Sequence, residues 1–273
     1  VSNFSEAIAI YAIIIAASYI FRNVYMLIVN GLRYRFLAES KAYVSTNLFS
    51  TIANKPYSYF TATNTSAIQR ICINDVSRLF GVIDSCLNVI INFITLVLIA
   101  AVLLAENTLL TVSATVILGL LTVLVNRPIA KKTSELSKVY SEHYTSMLQW
   151  TQQFVGSLKT VLTTEKQPFF VERFSYHNKR FTQNEGRFSF ISLVTGYVLN
   201  AVVMGLGFFY VAVLAIQGEN ITLYIPTLAL FAMAAMKLMP SISSFATHLN
   251  NIRYNEQGLY SIYEQMKNNE KDA

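Results

Sequence analysis

Two cations stand where charge is costly. Arg22 lies inside the apolar run at residues 7–29, and Lys237 inside the run that begins at Ile221. A bilayer interior penalises a bare charge, so such a residue is expected to face a bundle interior, a cavity or an anion. No Asp or Glu lies at comparable depth in the sequence. An anionic ligand, such as a phosphate-linked lipid headgroup, would complete the pairing, with Arg suited to bidentate phosphate contact. Snorkelling to the interface is the structural alternative for both. Asn88 and Asn92, one helical turn apart in another apolar run, are expected to face neighbouring helices rather than lipid and join Arg22 and Lys237 as substrate-binding candidates. His143, His177 and His248 are far apart and show no metal-ligand spacing. Cys72 and Cys86 read as reduced packing residues. There is no G-x-x-x-x-G-K-[ST] phosphate loop, no G-x-G-x-x-G after a strand, and no catalytic Ser-His-Asp or Cys-His arrangement. No catalytic residue and no metal site is predicted.

The elements that position these residues follow from charge placement. Hydrophobic residues make up 53% of the chain and charged residues 13%, about half the charged share of a soluble domain. A polytopic helical membrane protein is the class this composition supports. Residues 127–187 hold ten Lys/Arg and five Asp/Glu and lie between two uncharged apolar runs, 108–125 and 188–217. With breaks only near Gly156 and Pro168, this segment predicts two helices that leave the membrane together, each reaching about 40 Å into water before a short turn. A second excursion, residues 31–84, continues the first span to about Asn54, where Lys55-Pro56 ends the helix. Residues 61–66 are turn-like. Residues 67–79 restart a helix with Ile68, Ile71, Cys72 and Val76 on one face and Arg70, Asn74 and Arg78 on another.

The two excursions carry sixteen Lys/Arg, whereas the short polar stretches 1–6, 106–107 and 219–220 carry only Glu. By the positive-inside rule the excursions are cytoplasmic, which gives five spans with an external N-terminus and a cytoplasmic C-terminus. The odd count, with Val as first residue, suggests at least one missing upstream span. Small residues Gly196, Gly205 and Gly207 in the fourth span favour close helix approach. The last span passes Pro226 and Pro240 into a polar amphipathic helix ending near Lys267, with 267–273 a frayed linker. The net charge of +6 follows topology and does not point to nucleic acid.

At the loop tips the residues resemble a known family. Gly156-Ser-Leu-Lys159, Glu165, Phe169-Phe170 and Arg173-Phe174 resemble the second cytoplasmic loop of ATP-binding cassette (ABC) exporters. Ser66-Ala-Ile-Gln-Arg70 followed by Asn74-Asp75-Val76 is similar to the family's first loop, with Thr65 in place of the usual Gly and one extra residue between Arg70 and Asp75. Met236-Lys-Leu-Met-Pro240-Ser resembles an element of the last span, and helix lengths and this element are most similar to flippases for lipid-linked oligosaccharides. The resemblance implies an all-α exporter transmembrane domain over residues 1–273, lacking its first membrane helix and its nucleotide-binding domain, in a bacterial inner membrane. It implies ATP and Mg2+ in that absent domain, a second transmembrane half as homo- or heterodimer partner, surrounding lipids, and alternating access for an amphipathic or anionic substrate. It also implies that Ser66, Arg70, Asp75, Gly156, Lys159, Thr163 and Glu165 couple to nucleotide-binding domains. A secondary transporter or channel would account for the spans but not for two long hairpins, and a membrane scaffold is a third class.

Overall fold

The computed structural model describes residues 2–106, 108–216 and 221–271. Among them are eight α-helices and one π-helical turn: α1 (Ser2–Ala53), α2 (Tyr57–Ala62), α3 (Thr65–Gln69), the π turn (Arg70–Asp75), α4 (Val76–Glu106), α5 (Thr108–Gly156), α6 (Leu158–Thr163), α7 (Gln167–Ile216) and α8 (Ile221–Lys271). The expected turns at 106–107 and 219–220 fall partly on residues outside those described. Several apolar side chains of α5, α7 and α8, together with Lys237 and Gly207, also lie outside the described residues.

Prolines punctuate the chain as their chemistry requires. None precedes Pro56, so α1 runs 52 residues without a break, about 78 Å of helix. Pro56 then sits at the N-cap of α2 in extended backbone. Pro168 opens α7, where its missing N–H costs nothing. Pro128, by contrast, lies within the 49-residue α5, and Pro226 and Pro240 within α8. The frayed linker expected at 267–273 does not begin there: α8 continues to Lys271, because Lys-Asn-Asn-Glu-Lys contains no Gly or Pro to stop it.

Helix α1 forms one compact unit and residues 54–273 the other. Along α1 the apolar side chains from Ile10 to Leu32 are exposed, and the pair Arg35–Glu39 at 2.8 Å spans one turn on its polar half. In the second unit, α4 packs antiparallel along α8, and α5 along α7, with α7 also against α8. Among the described residues, two helical stretches are long and apolar enough to cross a membrane, Ala9–Ala53 and Thr65–Val102, and almost none of their apolar windows is buried. Apolar surface on that scale needs lipid or another chain to cover it. Of the three further spans expected from sequence, the third and fifth rest largely on side chains outside the described residues.

Small polar groups share the buried contacts between helices with apolar ones. Among the described residues the largest fully buried side chains are Val76 and six polar ones, Asn250, Thr133, Thr195, Asp75, Ser66 and Ser137. One apolar cluster, Leu199, Ile242 and Ala246, joins α7 to α8. Beside it Gly196 lets Ser243 approach to 3.6 Å of where a Cβ would be, and Ser243 Oγ donates to Asn200 Oδ1 at 2.9 Å. Gly205 has no such neighbour, so close approach is realised at only one of the two described glycines.

Candidate functional site

The first loop tip is built from its caps inward. Asn64 accepts the Ser66 N–H at 2.9 Å, satisfying a free amide at the start of α3. Ser66 is fully buried and donates to Gln152 Oε1 of α5 at 2.6 Å. The chain then widens into the π turn, where the Val76 N–H reaches back five residues to the Ile71 carbonyl. A π turn inserts one residue into a helix without breaking it and places residues five apart on one side. Arg70 and Asp75 are five apart, and Arg70 Nε meets Asp75 Oδ2 at 3.0 Å. The extra residue between them, a departure from the resembled spacing, is absorbed there, and the pair survives.

From Arg70 the network spreads to two other helices. Its Nη1 donates to Thr145 Oγ1 of α5 at 2.9 Å and its Nη2 to Ser261 Oγ of α8 at 3.4 Å. About two turns on, Arg78 is buried deeper. It donates to Ser141 Oγ at 2.6 Å and Ser137 Oγ at 2.8 Å on α5, and to the Tyr254 carbonyl and Asn255 Oδ1 on α8. Its guanidinium lies 4.6 Å from the centre of the Tyr140 ring, whose hydroxyl accepts from Asn74 at 3.1 Å. Burial pushes the Asp75 carboxyl up from its ordinary value, against the pull of Arg70 and Arg78. It likewise pulls the Arg78 guanidinium down, offset by Asp75, and pushes the Tyr140 and Tyr254 phenols up. A buried guanidinium satisfied on every side is a rigid joint, because removing any partner leaves a desolvated donor.

Gly258 makes this joint possible. A Cβ there would stand 2.7 Å from Arg78 Cβ and 3.1 Å from the Asp75 carbonyl, so only glycine lets α8 lie directly on the π turn. The sequence reading missed both residues: it places Arg78 on a polar helix face with Arg70 and Asn74, but Arg78 is buried, as Ile68, Cys72 and Val76 of the apolar face are, while Ile71, Arg70 and Asn74 are half-buried. Their only sequence signal was one basic residue too many for the apolar period and a glycine inside a polar helix.

The second tip is different. Gly156 ends α5, and α6 follows after one residue. Lys159, Thr163 and Glu165 are exposed, and of α6 only Val161 is buried. Thr163 Oγ1 donates to the carbonyls of Lys159 and Thr160. The turn closes with the Lys166 N–H on the Val161 carbonyl at 3.1 Å, with Glu165 at φ 53°. That is the six-to-one helix stop in which the penultimate residue is left-handed, a role glycine usually fills. Below the tip, Trp150 meets Phe169 and Phe170 edge-on, and Arg173 lies over the rings of Trp150 and Phe169.

The remaining candidates are scattered. Arg22 is exposed on α1, over the ring of its own neighbour Tyr19 at 5.8 Å. Asn92 donates to Ser244 Oγ of α8 at 3.1 Å, so it faces a helix as expected, and Asn88 donates to the Asp84 carbonyl at 2.9 Å. One expectation is overturned. His143 and His177, read as far apart, meet across the α5–α7 hairpin with their Nδ1 atoms 3.0 Å apart, because an antiparallel pair of long helices brings residues 34 positions apart to one level. His248 instead faces Ser85 Oγ at 3.5 Å.

Fold and site together define an all-helical membrane bundle whose long helices carry a polar-locked joint and an exposed tip. The family described as the ABC transporter transmembrane region matches residues 2–238, and the chain belongs to that family. No curated protein matches it by sequence. Among solved structures, a bacterial Atm1-family ABC exporter with ATP bound superposes with a TM-score of 0.69 at 14% identity, over 86% of this chain and 41% of that one. The chain therefore spans less than half the length of that exporter, and the likeness is one of fold.

Proposed function

We propose that this chain is the membrane half of an ATP-driven exporter, in which the two loop tips receive motion from nucleotide-binding domains and the long helices carry it to the membrane. The observation that carries this reading is the Arg70–Asp75–Arg78 joint. It ties the first tip to α4, α5 and α8 at once, so a push on the tip displaces three helices as a body. Rigid-body rocking of such groups is an established route to alternating access. Ser66, Arg70 and Asp75 fix the first tip; Gly156, Lys159, Thr163 and Glu165 shape the second and present its exposed surface.

ATP and Mg2+ belong to the partner domains in this proposal, since the chain has no phosphate loop to hold them. A second transmembrane half completes the pathway, and a bacterial inner membrane is the setting. Arg22, with no carboxylate on α1 between Glu6 and Glu39, is assigned to an amphipathic or anionic cargo such as a lipid-linked glycan, lipid, peptide or drug, and Lys237 to the same cargo. Asn88 and Asn92 are second to them, because each already spends its amide on protein.

The test uses the intact protein in liposomes. Truncating Lys159, Thr163 and Glu165 together should leave ATP turnover running while transport of a fluorescent anionic lipid falls about tenfold or more, since a broken coupling geometry raises the barrier by roughly 1.4 kcal/mol or more. Full transport in that variant overturns the coupling role. Arg22→Gln and Lys237→Gln should weaken the anionic reporter more than a zwitterionic one; equal transport of both reporters would remove the charges from the pathway.

A further inference from the structure

The histidine pair of the α5–α7 hairpin has no part in the coupling scheme, and its geometry is specific. His143 and His177 present Nδ1 to Nδ1 at 3.0 Å, with ring centres 5.2 Å apart and planes inclined at 53°. Both rings are half-buried, so each keeps an open side. Two lone pairs cannot face each other at that distance with nothing between them. Either one nitrogen carries the proton, or a cation takes its place.

We propose that His143 and His177 form a two-imidazole site for a transition-metal cation, which clips the two arms of the hairpin together below its tip. Imidazole nitrogens bind such ions at about 2.0–2.1 Å. With the nitrogens where they are, the angle at the metal is about 95°, close to that of neighbouring ligands in the tetragonal geometry of Cu(II) or Ni(II). A tetrahedral Zn2+ site would need the rings to part by a few tenths of an ångström. Burial and the neighbouring His143 pull the His177 imidazole below its ordinary value.

The other groups around His177 are Glu142, whose charge favours a cation, Arg173, whose charge opposes one, and Tyr176, edge-on to both rings. Arg180 lies over Tyr176. Among the described residues no third His, Cys or carboxylate completes a cluster, so water would fill the remaining positions. The site is an arm-to-arm clip with exchangeable ions, distinct from a permanent structural centre closed by four protein ligands.

The experiment takes the intact, untagged protein in detergent at pH 7.5, stripped of metal, and titrates it with Cu2+ while recording electron paramagnetic resonance. One Cu(II) per chain with splitting from two nitrogens is expected. His143→Gln or His177→Gln should cut the affinity at least about tenfold and remove one nitrogen from the spectrum. Hydrogen exchange on the unaltered protein gives a readout free of folding artefacts. Ni2+ should slow amides around residues 140–147 and 173–181, and removing the metal with EDTA should reverse the effect. Absence of saturable binding, a spectrum unchanged in either variant, or protection confined to other segments would overturn the site.

Discussion

The two loop tips solve one problem in opposite ways. The first, from Asn64 to Asp75, is anchored inward: Ser66 and Asp75 are fully buried, and its charged residues are held by α5 and α8. The second, from Gly156 to Lys166, stands on its own local bonds, with Val161 its only buried side chain in α6 and an aromatic collar of Trp150, Phe169 and Phe170 beneath. One tip is stiff because the fold holds it, the other because its own turn does. A stress applied to the first is shared by three helices, whereas a stress on the second passes down the hairpin.

That contrast predicts unequal damage. The largest effect belongs to Arg78→Ala, which empties a buried guanidinium site and orphans Ser137, Ser141 and the Tyr254 carbonyl. A loss of about 3–5 kcal/mol is expected, read as a fall in thermal midpoint of the detergent-solubilised protein. A change as small as that of a surface substitution would dissolve the distinction between the tips.

Gly258→Ala comes next. Its added methyl meets Arg78 Cβ and the Asp75 carbonyl, and overpacking of this kind costs about 1–3 kcal/mol. Exchange of amides near Asp75 should rise in this variant while amides near α6 stay as they were. Equal disturbance at both ends would mean the tips are not independent.

Acidification should act on the hairpin through His177. His177 has a folded value below its ordinary one, so the folded state holds fewer protons than the unfolded chain. Its contribution is therefore intact above about pH 6.5 and is lost as pH falls through the interval down to the lowered folded value. Hairpin amides should exchange faster over that interval, and His177→Gln should abolish the pH step; a step that persists in the variant would assign it elsewhere.

The smallest effect is at Glu165, held at φ 53°. Glycine there relieves a left-handed conformation that costs a side chain about 1 kcal/mol, less what glycine loses in chain entropy. A stabilisation of less than about 1 kcal/mol is expected in thermal melts, and a marked destabilisation would show that the Glu165 side chain holds the turn.

The same contrast decided what the sequence revealed. The second tip was legible because local chemistry makes it: a glycine, a proline and a run of charge mark two helices and a turn. So was the end of α1 at Lys55-Pro56. The first tip was legible only in outline. Arg70, Asp75 and Ser66 stood out through family resemblance, but the extra residue obscured their register until the π turn brought Arg70 to Asp75. Arg78, Gly258 and the His143–His177 pair owe their roles to helices 34 or more residues away in sequence, and no periodicity reports such a meeting. Arg22 was visible because a charge in an apolar run is conspicuous, and α1 carries no carboxylate between Glu6 and Glu39.

Hydrogen exchange of the intact protein, comparing residues 64–79 with 156–166 before and after Arg78→Ala, tests the central claim most directly. Strong protection of the first segment over the second is expected at the outset. On substitution, protection of the first should collapse toward that of the second, which stays unchanged. If both segments exchange alike from the start, or if the second loosens together with the first, the buried joint does not set the first tip apart and the account is wrong.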